Sequence, residues 1–108
     1  MLLRSLDDLR NVRIGDLILL EVLRGARDEA HSARLERELR QFEVLTMLDD
    51  RLATIAARHY RVLRARGITI RKTADLIIGA YCIEHGHFLL HDDRDFEPMR
   101  EHLGLLVA

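Results

Sequence analysis

Three carboxylates lie at or near apolar segments and are candidates for one cluster: Glu21, Asp75 and Asp93, with Asp95 close by. Carboxylates gathered in one place repel each other and raise each other's pKa, so a cation is needed to offset the cluster. Ligand sets made only of oxygen select hard cations such as Mg²⁺ or Mn²⁺. A cation held by few carboxylates keeps water molecules, one of which can attack a phosphodiester. These acids therefore indicate metal-dependent hydrolysis if the fold brings them together.

The segment from Arg71 to Phe96 has the clearest elements for positioning such a site. Thr73 is a suitable N-cap for an apolar helix, which places Asp75 in the first turn, where the helix dipole favours a carboxylate. Gly86 ends this helix, and the short apolar strand 87–91 that follows leads directly into acidic residues. A strand that ends in acids beside a helix that begins with one is typical of a site at the carboxyl edge of an α/β sheet.

The remaining pattern alternates between short strands and amphipathic helices. We predict strands over 11–15, 42–48, 87–91 and 105–107, and helices over 1–10, 17–24, 27–41, 50–67, 74–85 and 97–102. The helix over 27–41 is densely charged and is expected to be exposed, with ion pairs between residues four apart. Strands that alternate with helices imply mainly parallel pairing and helices on both faces of the sheet, so the predicted class is α/β.

Composition limits the possible classes of protein. A chain of 108 residues with 48% apolar residues predicts one domain over 1–108 with a real core. Seventeen basic and eighteen acidic residues nearly cancel, so a nucleic acid partner would require a local basic patch. The single cysteine, Cys82, excludes an internal disulfide and fits a reducing compartment. No apolar stretch is long enough to span a membrane, and we expect a soluble cytoplasmic protein without a membrane partner.

Three motifs in this order make the chain similar to a known family. The sequences IGDLILLEVLRG, RKTADLIIGAYCIEHG and LLHDDRDF, followed by a short helix and a terminal strand, resemble the PIN-domain ribonucleases, and specifically the VapC-like toxins of type II toxin–antitoxin pairs. The resemblance covers 11–107. It implies a PIN-like three-layer α/β/α sandwich with a mainly parallel sheet.

The resemblance also implies a function and a site. The acidic residue of the family's LxEVLxG helix matches Glu21, the one that opens its xxDLLIAA helix matches Asp75, and the acids of its LLTxDxDF turn match Asp93 and Asp95. Glu21, Asp75 and Asp93 are then metal ligands or water activators, with Asp95 as an auxiliary. The expected activity is metal-dependent cleavage of structured RNA with Mg²⁺ or Mn²⁺. The expected partners are a cognate antitoxin and a second copy of the chain in a homodimer.

The sequence departs from the family at its beginning. Family members start with a hydrophobic central strand that ends in Asp-Thr or Asp-Ser, and no such segment precedes Glu21. We therefore interpret the domain as N-terminally truncated relative to the family, without its central strand and first acid. The alternative function is a catalytically impaired PIN domain that binds an antitoxin or its own copy through the apolar surfaces left by the missing strand.

Structural interpretations of the same residues remain open. Taken alone, Glu21 can pair with Arg24, Asp75 can complement the helix dipole, and the acids at 92, 93 and 95 can form a polar turn. A zinc site would need ligands such as His85, His87, His91, Cys82 and Asp92, but their spacing is not that of a recognised zinc motif. The candidates for contacts with an RNA backbone are Arg71, Lys72 and Arg94.

Overall fold

The computed structural model describes residues 2–5, 11–91 and 93–107. Its strands are β1 Leu2–Ser5, β2 Val12–Gly15, β3 Glu43–Leu45, β4 His87–Leu90 and β5 Leu106–Val107. Its helices are α1 Asp16–Arg24, α2 Glu29–Leu39, α3 Asp50–Ala65, α4 Thr73–His85 and α5 Glu97–Leu103, with a 3₁₀ turn at Arg94–Phe96. The α/β class predicted from the sequence is confirmed.

The strands form one sheet in the order β3-β2-β1-β4-β5. β2 pairs in parallel with β3, and β4 pairs in parallel with β5, whereas β1 is antiparallel to both of its neighbours. Four of the five strands in the described part of the chain therefore run in the same direction. Their carboxyl ends lie at one edge of the sheet, which is the edge where the acids that follow β4 are expected.

The helix predicted over 1–10 is wrong for Leu2–Ser5, which form the central strand; residues 6–10 lie outside the described part of the chain. The spacing of the leucines at 2, 3, 6 and 9 fits a helix. However, the sheet has an opening between β2 and β4, and the backbone groups along this opening need hydrogen-bond partners. β1 supplies partners on both sides, and Leu3 is completely buried. The centre of the sheet is thus occupied by a strand, so it does not offer the open apolar surface that the alternative function would use.

Helix α4 is the most deeply buried element of the fold. Every residue from Asp75 to Cys82 is buried, because the helix packs against α3, β4 and the 3₁₀ turn. Gly79 allows close contact with α5, since a Cβ atom there would collide with the sulfur and terminal carbon of Met99. This packing fixes Asp75 at one end of a rigid helix.

The ends of helices α1 to α5 lie within two residues of the predicted ends. Gly86 ends α4 in the left-handed conformation with a φ of 66°, as predicted. Thr73 is the predicted N-cap of α4, but it is the first residue of that helix, as Asp16 is of α1. Asp16 instead accepts a 3.1 Å hydrogen bond at Oδ1 from the Met47 backbone N–H, which joins α1 to the segment after β3.

Helix α2 agrees with the prediction of an exposed, charged helix. None of its residues is buried, and Glu36 forms an i,i+4 ion pair of 3.1 Å with Arg40. In the described part of the chain, no helix is both long and apolar enough to cross a membrane.

Candidate metal centre

The turn after β4 supplies two of the predicted carboxylates. Asp93 caps the 3₁₀ turn, and its Oδ1 accepts a 2.9 Å hydrogen bond from the Asp95 backbone N–H. Asp residues commonly bond to the backbone two positions further on, which explains why this short sequence folds locally as a tight turn. Both side chains are partly buried, so the turn presents two carboxylates at the edge of the sheet.

Helix α4 brings a third carboxylate to the same place. Asp75 lies in the first turn of α4, as predicted, and only 2% of its surface is exposed. One ligand oxygen from each of Asp75, Asp93 and Asp95 lies within 4.8 Å of the other two. Elements separated in the chain thus meet in one acidic cluster, which is defined by these three residues.

The cluster is electrostatically unfavourable without a cation. Burial raises the pKa of Asp75 above its ordinary value of 3.8, and the charges of Asp93, Glu21 and Asp95 raise it further. The ammonium group of Lys72 is the opposing influence and lowers the pKa. Raised carboxylate pKa values are typical of functional sites at which like charges are held together.

The residues fit a hard divalent cation. The Oδ2 atom of Asp75 is buried and has no hydrogen-bond partner among the described residues, although a buried carboxylate oxygen normally requires one. Its two neighbours in the cluster offer further oxygen ligands and no sulfur or nitrogen. A cation of the Mg²⁺ or Mn²⁺ type would satisfy the orphaned oxygen and offset the repulsion.

Glu21 lies outside the acidic cluster. Its side chain is partly exposed on α1, a helix that contacts α4, and its charge contributes to the raised pKa of Asp75. The structure therefore places Glu21 near enough to influence the cluster electrostatically. It does not place a Glu21 oxygen among the mutually close ligand atoms.

The three basic candidates are all exposed. Arg71 and Lys72 precede α4, and Arg94 follows Asp93. Arg94 lines a cavity of about 230 Å³ together with Asp93, which belongs to the cluster. Cations thus flank the acids on two separate segments, an arrangement that suits a polyanion approaching the cluster.

The histidines form no metal centre within the described ranges, where the only group of three or more candidate ligands is the acidic cluster. His87 is buried and stacks on Tyr81 with ring centroids 5.6 Å apart. His85 packs against the same tyrosine at 4.2 Å. Asp92, considered as a zinc ligand, lies outside the described residues.

One residue near the cluster was missed by the sequence reasoning. His91 accepts a 3.0 Å hydrogen bond at Nδ1 from the backbone N–H of Asp93. The sequence contains one signal for this bond. His91 stands two residues before the candidate ligand Asp93, and in turns a side chain often accepts a hydrogen bond from the backbone two residues further on.

The fold and the acidic cluster define the class of protein. The chain belongs to the PIN domain family, whose sequence profile matches residues 2–101. Among relatives, it is 34% identical over 91 residues to the VapC ribonuclease Mb1587 of Mycobacterium bovis and to ribonuclease VapC11 of Mycobacterium tuberculosis. Each alignment covers 84% of this chain and 68% of the relative.

A solved structure agrees with this assignment at the level of the fold. VapBC2 from Rickettsia felis, bound to a DNA fragment from its promoter, matches with a TM-score of 0.73 and 17% identity. The match covers 89% of this chain and 72% of the other. The predicted resemblance to VapC-like PIN domains and the predicted PIN-like α/β fold are confirmed.

Proposed function

We propose that this chain is a metal-dependent endoribonuclease, the toxin of a toxin–antitoxin pair, which hydrolyses structured RNA with Mg²⁺ or Mn²⁺. The observation that carries the proposal is the acidic cluster, in which three ligand oxygens lie within 4.8 Å of one another. The buried Asp75 oxygen without a described partner supports a cation there. The VapC ribonucleases that the chain resembles support RNA as the substrate.

The residues of the cluster would hold the cation at the end of β4. Asp75 is fixed by a buried helix, and Asp93 is fixed by its hydrogen bond to the backbone of Asp95. When bound, a divalent cation supplies charge to stabilise the phosphodiester and lowers the pKa of a water molecule. Asp75, Asp93 and Asp95 are the ligands that we assign.

Glu21 has a different role in this proposal. Its carboxylate is partly exposed and is not a member of the cluster, so it keeps oxygens that can contact solvent. We assign Glu21 to accept a proton from the attacking water at its carboxylate. Arg71, Lys72 and Arg94 would contact RNA phosphates, because they are exposed cations on both segments that flank the acids.

The partners are a cognate antitoxin and a second copy of the chain. The matching fold of VapBC2 from Rickettsia felis supports an antitoxin partner. Light scattering tests both partners by molecular mass. The mass of the purified chain alone shows whether it is a dimer, and the mass of its mixture with the antitoxin shows whether a complex forms.

A second candidate function is favoured by the central strand. The four residues of β1, with the sequence LLRS, bring no carboxylate to the middle of the sheet, where the family's first acid is expected. A domain that keeps its fold but binds the cation weakly would act as an antitoxin-binding module without cleaving RNA. Metal-dependent cleavage separates the two candidates.

The test is cleavage of structured RNA with Mn²⁺ or Mg²⁺ and with EDTA, using Asp75→Asn and the matched control Asp50→Asn. Asp50 is an exposed acid in the first turn of α3, so it resembles Asp75 in helix position but lies outside the cluster. We expect EDTA and Asp75→Asn to abolish cleavage and Asp50→Asn to retain it. Cleavage by Asp75→Asn at the unaltered rate would contradict the assignment of the site.

A further inference from the structure

His91 makes contact with the candidate metal centre through a backbone group. Its Nδ1 accepts the backbone N–H of Asp93 at 3.0 Å, and its ring lies 4.8 Å from the ring of Phe96, measured between centroids. Phe96 is completely buried, so the imidazole of His91 packs against a core residue immediately before the acidic turn. The histidine is therefore in a position either to stabilise the core or to fix the turn.

The hydrogen bond of His91 is the first of two consecutive bonds that define the turn. His91 accepts from Asp93, and Asp93 in turn accepts from Asp95 at 2.9 Å. Each bond spans two residues and links a side chain to the backbone. Oδ1 of Asp93 accepts the Asp95 N–H, which ties the orientation of the carboxylate to the turn. The direction of the carboxylate therefore depends on how the Asp93 backbone is held.

The second ring nitrogen indicates which role His91 has. An Nδ1 that accepts a hydrogen bond carries no proton, so the proton of the neutral ring is on Nε2. This Nε2 is buried without a hydrogen-bond partner among the residues described. A buried donor without a partner is unfavourable, so an apolar side chain would serve the core better than histidine. The contribution specific to histidine is its acceptor at Nδ1.

We propose that His91 is a positioning residue, which sets the backbone of Asp93 and thereby the affinity of the acidic cluster for a divalent cation. This inference rests on the proposed function, since it concerns the same cluster. Groups that hydrogen-bond to ligands from outside the coordination shell commonly change metal affinity by about 10- to 100-fold when they are removed. His91 differs from them in acting on the backbone of the ligand residue.

Two substitutions separate the acceptor from the ring. His91→Asn places an amide oxygen at the position of Nδ1, and Asn commonly bonds to a backbone N–H two residues on, but the ring is lost. His91→Phe keeps a ring against Phe96 and removes the acceptor. His91→Leu is a second variant without an acceptor, to be used if the phenylalanine does not fit.

The experiment is calorimetric titration of each folded variant with Mn²⁺, together with hydrogen exchange of the Asp93 amide. Asp75→Asn serves as the control without a site. We expect His91→Phe to bind Mn²⁺ about 10- to 100-fold more weakly and to lose protection of the amide. We expect His91→Asn to bind within about threefold of the unaltered chain and to keep the protection.

The possible results have different consequences. Binding by His91→Phe and His91→Leu at the unaltered affinity would overturn the role of His91 and leave the metal site intact. Weaker binding by His91→Asn than by His91→Phe would also overturn it, because the ring and not the acceptor would then matter. Absence of Mn²⁺ binding by the unaltered chain would overturn the proposed function and this role with it.

Discussion

Asp93 and Asp95 are joined by a 2.9 Å hydrogen bond from the backbone N–H of Asp95 to Oδ1 of Asp93. One side chain therefore shapes the turn and also takes part in the acidic cluster. The bond explains how two carboxylates can be held close to Asp75 on a segment with little regular structure. It also allows the structural and electrostatic roles of Asp93 to be separated.

Asp93→Asn is expected to remove metal binding without loss of stability. The amide oxygen still accepts the Asp95 N–H, but one negative charge of the cluster is lost. Asp93→Ala removes the hydrogen bond as well and should lower the free energy of unfolding by about 1 kcal/mol, as for other side-chain caps. Urea denaturation and Mn²⁺ titration of both variants measure these effects. Equal destabilisation by the two substitutions would contradict the role of the acceptor.

Glu21→Gln is expected to weaken Mn²⁺ binding less than Asp75→Asn does. Glu21 lies outside the cluster and acts on Asp75 through its charge, so its removal should cost roughly tenfold in affinity or less. RNA cleavage should fall much more than metal binding, since Glu21 is assigned to accept a proton. Comparison of the binding constant with the single-turnover rate separates the two effects. Complete loss of Mn²⁺ binding in Glu21→Gln would contradict this assignment, because it would show that Glu21 is itself a metal ligand.

The stability of the fold should decrease in mild acid because of His87. Burial lowers the pKa of His87 below its ordinary value of 6.5, and the charge of Arg13 lowers it further. As the pH falls below 6.5, the unfolded chain binds a proton that the folded protein binds less readily, so the free energy of unfolding decreases until the lowered pKa is reached.

His87→Phe tests this effect of pH. The phenylalanine keeps a ring against Tyr81, but it does not titrate. Between about pH 7.5 and pH 5.5, its free energy of unfolding, measured by urea denaturation, should fall less than that of the unaltered chain, by at most about 1.4 kcal/mol per pH unit. The raised pKa of Asp75 acts in the opposite sense in both proteins and cancels in the comparison. Identical pH profiles would contradict the prediction.

Cys82 is expected to be unreactive in the folded protein. It is a free cysteine with 1% of its surface exposed, and burial raises the pKa of its thiol to about 12. The reactive thiolate is therefore scarce at neutral pH, and reagents have no access to it. Ellman's reagent should titrate one thiol in urea and almost none in buffer. Rapid modification in buffer would contradict the buried position.

The elements around the site were largely predictable because their local signals agree with the fold. Gly86 marks the end of α4, and Asp75 falls in its first turn, as the apolar periodicity indicated. The approach of Asp75 to Asp93 and Asp95 followed from the expectation that a strand end and a helix start meet at one edge of a sheet. The separation of Glu21 from this cluster depends on tertiary packing and has no signal in the sequence.

The central strand could not be predicted for a related reason. The leucines at 2, 3, 6 and 9 have the spacing of a helix, and only the unpaired edges of β2 and β4 make Leu2–Ser5 a strand. β4 is far away in the chain, and the edge of β2, although near, is formed only when the sheet assembles, so local periodicity reports neither edge. The hydrogen bond that His91 accepts from Asp93 differs, because its spacing of two residues is a local signal, although its formation depends on the conformation of the turn.

The most direct test of the metal centre is calorimetric titration of the purified chain with Mn²⁺, with Asp75→Asn and Asp50→Asn as matched variants. We predict saturable binding by the unaltered chain and by Asp50→Asn, because Asp50 lies outside the cluster. Asp75→Asn should show no binding, since it replaces the buried carboxylate at the centre of the site. Binding of equal strength by all three proteins, or by none of them while folded, would contradict a metal centre formed by Asp75, Asp93 and Asp95.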